Sequence, residues 1–248
     1  MAITHTAQRN HDALFPGHTS TLKVTDPELI ELFDNWAFDE LLEHAALDTR
    51  TRLMVQLAAL IACHAVSEYR VMLGGALNLG VTPVEAKEIV YQAVPYVGVA
   101  RVFDFLHVTN EVFQQWGVTL PLPPQSTTTP ETRLERGRAV QRRILGDKLE
   151  QLYAGAPKDQ LHIQKNLSAN CFGDYLTRTG LDLKTRELLT LSMLASLGGC
   201  EPQLAGHVAA NLAVGNDRQV LIGAITQLLP FIGYPRALNA LRVINEGT

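Results

Sequence analysis

Cysteine is scarce in this chain. Three residues (Cys63, Cys171, Cys200) among 248 are too few, and odd in number, for the disulfide framework of a small secreted fold. Neither sign of charge dominates: Lys+Arg 21 against Asp+Glu 25 gives a formal net charge of −4, without the basic excess of a nucleic-acid binder. No apolar run reaches the roughly 18 residues of a membrane span, and MAITHTAQRN lacks the basic start and apolar run of a signal peptide. No GxxxxGK[ST], GxGxxG after a strand, HExxH or GxSxG occurs. What is abundant is apolar residues, at 46%. A chain so composed can bury a sizeable core, and the expectation is a soluble cytoplasmic globular protein with no nucleic-acid or membrane partner.

The strongest feature is an internal repeat. A shift of 135 residues lays QAVPYVGVARVFDFLHVTNE (Gln92 to Glu111) over QLLPFIGYPRALNALRVINE (Gln227 to Glu246). Gln92/Gln227, Pro95/Pro230, Gly98/Gly233, Arg101/Arg236 and Asn110/Asn245 are identical, and Tyr96/Phe231 is a near-match. Upstream, a shift of 134 pairs Phe38/Phe172, Asp48/Asp182, Thr51/Thr185 and Arg52/Arg186. The Pro/Ser/Thr stretch LPLPPQSTTTP, residues 120–130, cannot hold a helix or a central strand and reads as the linker. The expected organisation is an N-terminal arm (1–25), lying across a neighbouring subunit or disordered, a first repeat (26–119), the linker (120–130), and a second repeat (131–248).

Apolar residues in both repeats recur at helical spacing, and no alternating run marks a strand. Leu181 to Leu197 reads as a helix stopped by Gly198–Gly199, and another starts near Glu201–Pro202 and ends at Gly215. Thr82-Pro83-Val84-Glu85 is a capping box, and Pro95 and Pro230 are expected to end the third helix of each repeat. The fold class is all-α, two tandem helical repeats.

The chemistry-bearing residues gather in the second repeat. Cys200 stands at a helix N-terminus, where the partial positive charge favours a thiolate. His207 follows two turns later on the same face, with Gln203 between them, and Glu187 is on the preceding helix, which the glycine pair folds back. An acid, a thiol and an imidazole could then share one cleft and shuttle protons. The bland reading is an inert small thiol and a satisfied or surface histidine.

The pattern LDxxTRELLTL, the His207 helix, and PFIGYPRALNAL resemble the carboxymuconolactone decarboxylase family, which includes the alkylhydroperoxidase-like proteins. The resemblance covers both repeats and is strongest in the second. It implies an all-α tandem fold, assembled as a homotrimer equivalent to a hexamer of repeats. It further implies decarboxylation, without a cofactor, of a small carboxylated lactone or ring-cleavage product. His207 would be the acid/base, Glu187 its orienter and Cys200 part of the pocket. Arg236 would anchor the carboxylate, with Tyr234 and Gln203 beside the substrate; a structural role for Arg236, matching Arg101, is the alternative. The peroxidase branch carries a CxxC four residues before a His; Cys200 and His207 fit, but Gln203 replaces the second Cys, which leaves a one-thiol peroxidase as the alternative. A non-catalytic oligomeric binding protein is the third reading. The first repeat has Ala65, Met72 and Leu53 where the second has Cys200, His207 and Glu187, so it reads as a degenerate scaffold. The alternative is a displaced second site or metal pair on its own Cys63, His64 and Glu68, too few to define a metal centre.

Overall fold

A computed structural model describes residues 2–44 and 46–248, and among them every regular element is helical. In chain order these are α1 (His5–Leu14), α2 (Leu22–Thr25), α3 (Pro27–Phe38), a 3₁₀ turn (Glu40–His44), α4 (Thr49–Ala62), α5 (Val66–Asn78), α6 (Pro83–Val97) and α7 (Val99–Gln115). After the linker come α8 (Arg133–Leu145), α9 (Lys148–Gly155), α10 (Leu161–Asn166) running into a π-helix (Leu167–Leu176), α11 (Leu183–Leu197), α12 (Glu201–Ala213) and α13 (Arg218–Gly247).

The two repeats start and stop their helices with the same devices. Asp48 and Asp182 cap α4 and α11, each carboxylate accepting from the backbone N–H three residues on, at 3.0 and 2.7 Å. Thr82 completes its capping box with Glu85, and Asp217 caps α13 at the equivalent place. The prolines do not end the third helices as expected. Pro95 lies inside α6, and α13 runs on past Pro230. The break falls three residues later at Gly98 (φ 82°) and Gly233 (φ 72°), a conformation that a Cβ would strain. A proline removes one N–H and bends its helix, but only the left-handed glycine reverses the ladder.

The cores of the two repeats are one core. α4 and α11 pack on each other, and Leu53 to Ala62 of the first and Arg186 to Ser196 of the second are buried on all sides. Polar groups on these helices are matched across the repeats. Arg186 donates to Gln92 Oε1 (3.0 Å) and Glu88 Oε2 (2.9 Å) of α6, and Gln92 donates back to the Arg186 carbonyl at 2.7 Å. Gln56 of α4 also crosses between the repeats, donating to the Gln227 carbonyl at 3.1 Å.

The N-terminal residues differ from the expected arm. Thr4 caps α1, its backbone N–H donates to Asn35 Oδ1 at 2.7 Å, and α1 packs on α3 and α5 of its own chain. Only Met1 of that stretch lies outside the described residues. Ala7, His11 and Leu14 are the buried positions of α1, and Gly137, Gln141 and Ile144 are those of α8, at the same spacing. The duplication therefore reaches further than the sequence match. Polar residues at the central buried position hide it.

Candidate active site

α11 delivers Glu187 one turn in from its Asp182 cap. The following Gly198 (φ 67°) and Gly199 (φ 70°) both take the left-handed conformation needed to turn the chain back into α12. His207, in the middle of α12, then faces Glu187, with Nδ1 2.7 Å from the carboxylate Oε2. Asn211, one turn further on, donates to the carbonyls of both residues (3.0 Å to Glu187, 2.7 Å to His207) and accepts from Asn216 at 2.8 Å. The two helices are thereby locked in register at the pair.

Glu187 is fully buried, and its Oε1 has no hydrogen-bond partner. The His207 side chain is 19% exposed. An ionised carboxylate can only accept, so the Nδ1 facing it carries a proton and Nε2 is left as the exchangeable nitrogen. The geometry is that of an imidazole oriented by a buried carboxylate.

Two neighbours come from elsewhere in the chain. Tyr96 of α6, in the first repeat, packs edge-on against the His207 ring at 5.9 Å. Cys171 of the π-helix has its thiol 3.8 Å from the Tyr96 hydroxyl. Burial pushes the Tyr96 phenol well above its ordinary value, with the nearby Cys171 and Glu187 adding to the effect. Burial likewise pushes the Cys171 thiol up to about 12. Both groups stay protonated, the phenol beside the imidazole and the thiol behind the phenol. Sequence reasoning missed Tyr96, Cys171 and Asn211. One signal was present: Tyr96 is a phenol where Phe231, its repeat partner, is not.

The remaining expected residues go to other places. Cys200 donates its S–H to the Leu194 carbonyl at 3.2 Å and hydrogen-bonds to neither Glu187 nor His207. Burial, followed by the charge of Glu201, pushes its thiol up, against the lowering expected of a helix N-terminus. Of the three expected groups, Glu187 and His207 are the pair that bond directly. Gln203 is exposed on α12, and Tyr234 is 58% exposed and stacks on Trp36 at 6.0 Å. Arg236 is exposed, lies over Gly198, and has Nη1 3.7 Å from the Cys63 sulfur.

In the first repeat, Cys63, His64 and Glu68 separate. Cys63 turns to Arg236 and the Ser196 carbonyl, His64 (φ 58°) meets the edge of Phe105, and Glu68 lines a cavity. Among the described residues, no group of three His, Cys, Asp or Glu is placed to hold a metal ion. Nor is any helix long and apolar enough to cross a membrane.

A family model described as the carboxymuconolactone decarboxylase family matches the chain twice, over residues 27–111 and 162–246. A protein of Paracoccus denitrificans, described as an uncharacterized 15.0 kDa protein of the nqo9–nqo10 intergenic region, is 34% identical over 96 residues. That match takes in 38% of this chain and 66% of the relative. The 4-carboxymuconolactone decarboxylase of Acinetobacter baylyi is 31% identical over 83 residues, 34% of this chain and 62% of the relative. In both cases the match spans less than two thirds of the relative's length.

Proposed function

The chain belongs to the carboxymuconolactone decarboxylase family, and from that premise we propose that Glu187 and His207 are the proton-transfer couple of a carboxy-lyase that acts on a small carboxylated lactone. The observation that carries the reading is the 2.7 Å bond between a fully buried carboxylate and a partly exposed imidazole. On decarboxylation the bond between the ring carbon and the carboxylate breaks, and its electron pair delocalises into the conjugated lactone carbonyl. The His207 imidazolium then gives its Nε2 proton to carbon and is recharged from water. The step is redox-neutral, and its demand is a proton donor held in place. Glu187 supplies the orientation, holding Nδ1 so that Nε2 faces the substrate.

Thiol peroxidase chemistry finds less support. Cys200 needs a thiolate, and burial disfavours one; it also hydrogen-bonds to a helix carbonyl and not to the imidazole. The lactone in the name of the Acinetobacter relative is the natural first substrate to try. Carbon dioxide release by the wild-type chain is expected, and His207→Ala should lower it by about 10²–10⁴-fold. Undiminished release by that variant would remove the assignment.

A further inference from the structure

The counterpart of the Glu187–His207 site in the first repeat has lost its chemistry and become a cavity. Leu53, Met72 and Phe231 stand at the places of Glu187, His207 and Tyr96. Met72 and Phe231 line a half-open cavity of about 810 Å³ beneath α1 and α3, within the size range of small-molecule sites. Most of its wall is apolar, including Leu14, Phe15, Phe33 and Phe38.

One group in that wall lacks what its repeat partner has. Arg186 is neutralised by Glu88 and held by Gln92. For Arg52 the position equivalent to Glu88 is Gly223, and the glutamine equivalent, Gln227, donates instead to the Leu41 carbonyl at 2.7 Å. Arg52 is 9% exposed, lines the cavity, and has a buried Nε with no hydrogen-bond partner. It forms no ion pair with a described residue. Burial alone pushes its guanidinium down, with no anion to hold it up. A buried cation without a counter-charge is costly, and an anionic ligand removes that cost.

We propose that the first repeat binds an apolar monocarboxylate in this cavity, its carboxylate on Arg52 and its hydrocarbon body among the aromatic and aliphatic side chains. A planar guanidinium matches a carboxylate through paired N–H donors. A single negative charge matches the unpaired Arg52 guanidinium, while Asp34 in the same wall is already paired with Lys23 at 3.8 Å. The site is independent of the lyase reading, and Leu53 and Met72 stand where the Glu187–His207 pair would be, so binding is the function proposed for it.

Titration of the full chain with octanoate and with 1-octanol, followed by calorimetry, tests this. Octanoate is expected to bind at one site per chain, about tenfold or more tighter than the alcohol. Arg52→Gln should abolish that preference, and Met72→Trp, which fills the cavity, should abolish binding of both. His207→Ala should bind octanoate as the wild type does, whatever it does to lactone turnover. Equal affinity of the wild type for octanoate and octanol would overturn the proposal. So would wild-type octanoate affinity in both cavity variants, or loss of binding in His207→Ala.

Discussion

The Glu187 carboxylate uses one oxygen on the imidazole and leaves the other without a partner inside a fully buried site. Replacing it by the isosteric amide keeps the shape and removes the charge, and a glutamine N–H facing Nδ1 would drive the ring to the other tautomer. Glu187→Gln is therefore expected to lower kcat by about 10²–10⁴-fold with little change in KM, as measured by steady-state kinetics. The thiols give a second check at this scale. Burial raises Cys200 above its ordinary value, and Cys171 to about 12, so at pH 7 each has a smaller thiolate fraction than a free cysteine. Alkylation by iodoacetamide, read by mass spectrometry, should be slow at neutral pH at both residues and should accelerate only as pH rises past 9. Fast labelling of Cys200 at pH 7 would contradict this. Glu187 and His207 were legible in the sequence because helix spacing and a glycine turn fix their facing. The direction of the Cys200 thiol was not, because it depends on a single rotamer bonding to the Leu194 carbonyl.

At the scale of elements, the closest backbone approach joins α8 to the π-helix. A Cβ on Gly173 would stand 2.2 Å from the Arg133 carbonyl oxygen, and one on Gly137 would stand 1.8 Å from that of Ser168. Gly173→Ala is expected to cost about 1–3 kcal/mol, seen as a lower denaturant midpoint with unchanged slope. Gly155→Ala, where a Cβ meets nothing within 4 Å, should stay within about 0.5 kcal/mol of wild type. Removing the Asp182 cap with alanine should cost about 1 kcal/mol and loosen the start of the helix that holds Glu187. Caps and glycine stops could be read directly, because their chemistry is local. The true ends of α6 and of the first half of α13 could not: proline suggested an earlier break, and the left-handed glycine three residues on set it. α1 escaped notice because His11 interrupts its buried stripe, and its partner is a surface of α3 and α5 that only the fold creates.

Over the whole molecule the two repeats are joined through buried polar contacts. Glu88 of the first takes Arg178 and Arg186 of the second, with both guanidinium–carboxylate distances at 2.9 Å. Glu88→Gln leaves the almost fully buried Arg186 without its counter-charge and is expected to cost about 3–5 kcal/mol in chemical denaturation. The wild-type chain should unfold in one transition, since the larger buried core takes in helices of both repeats. The duplication showed plainly in the sequence, but the part of the site that crosses between the repeats did not, because Tyr96 reaches His207 from the other repeat. The same exchange places Phe231 in the first-repeat cavity, so divergence at paired positions has made one site polar and the other apolar. The central claim is that an imidazole held by a buried carboxylate, and not a thiol, moves the proton. It is tested most directly by measuring carbon dioxide release from a carboxylated lactone by His207→Ala and Cys200→Ser side by side with wild type. The expected result is near-complete loss in the first and near wild-type release in the second. Retained release in His207→Ala together with loss in Cys200→Ser would contradict it.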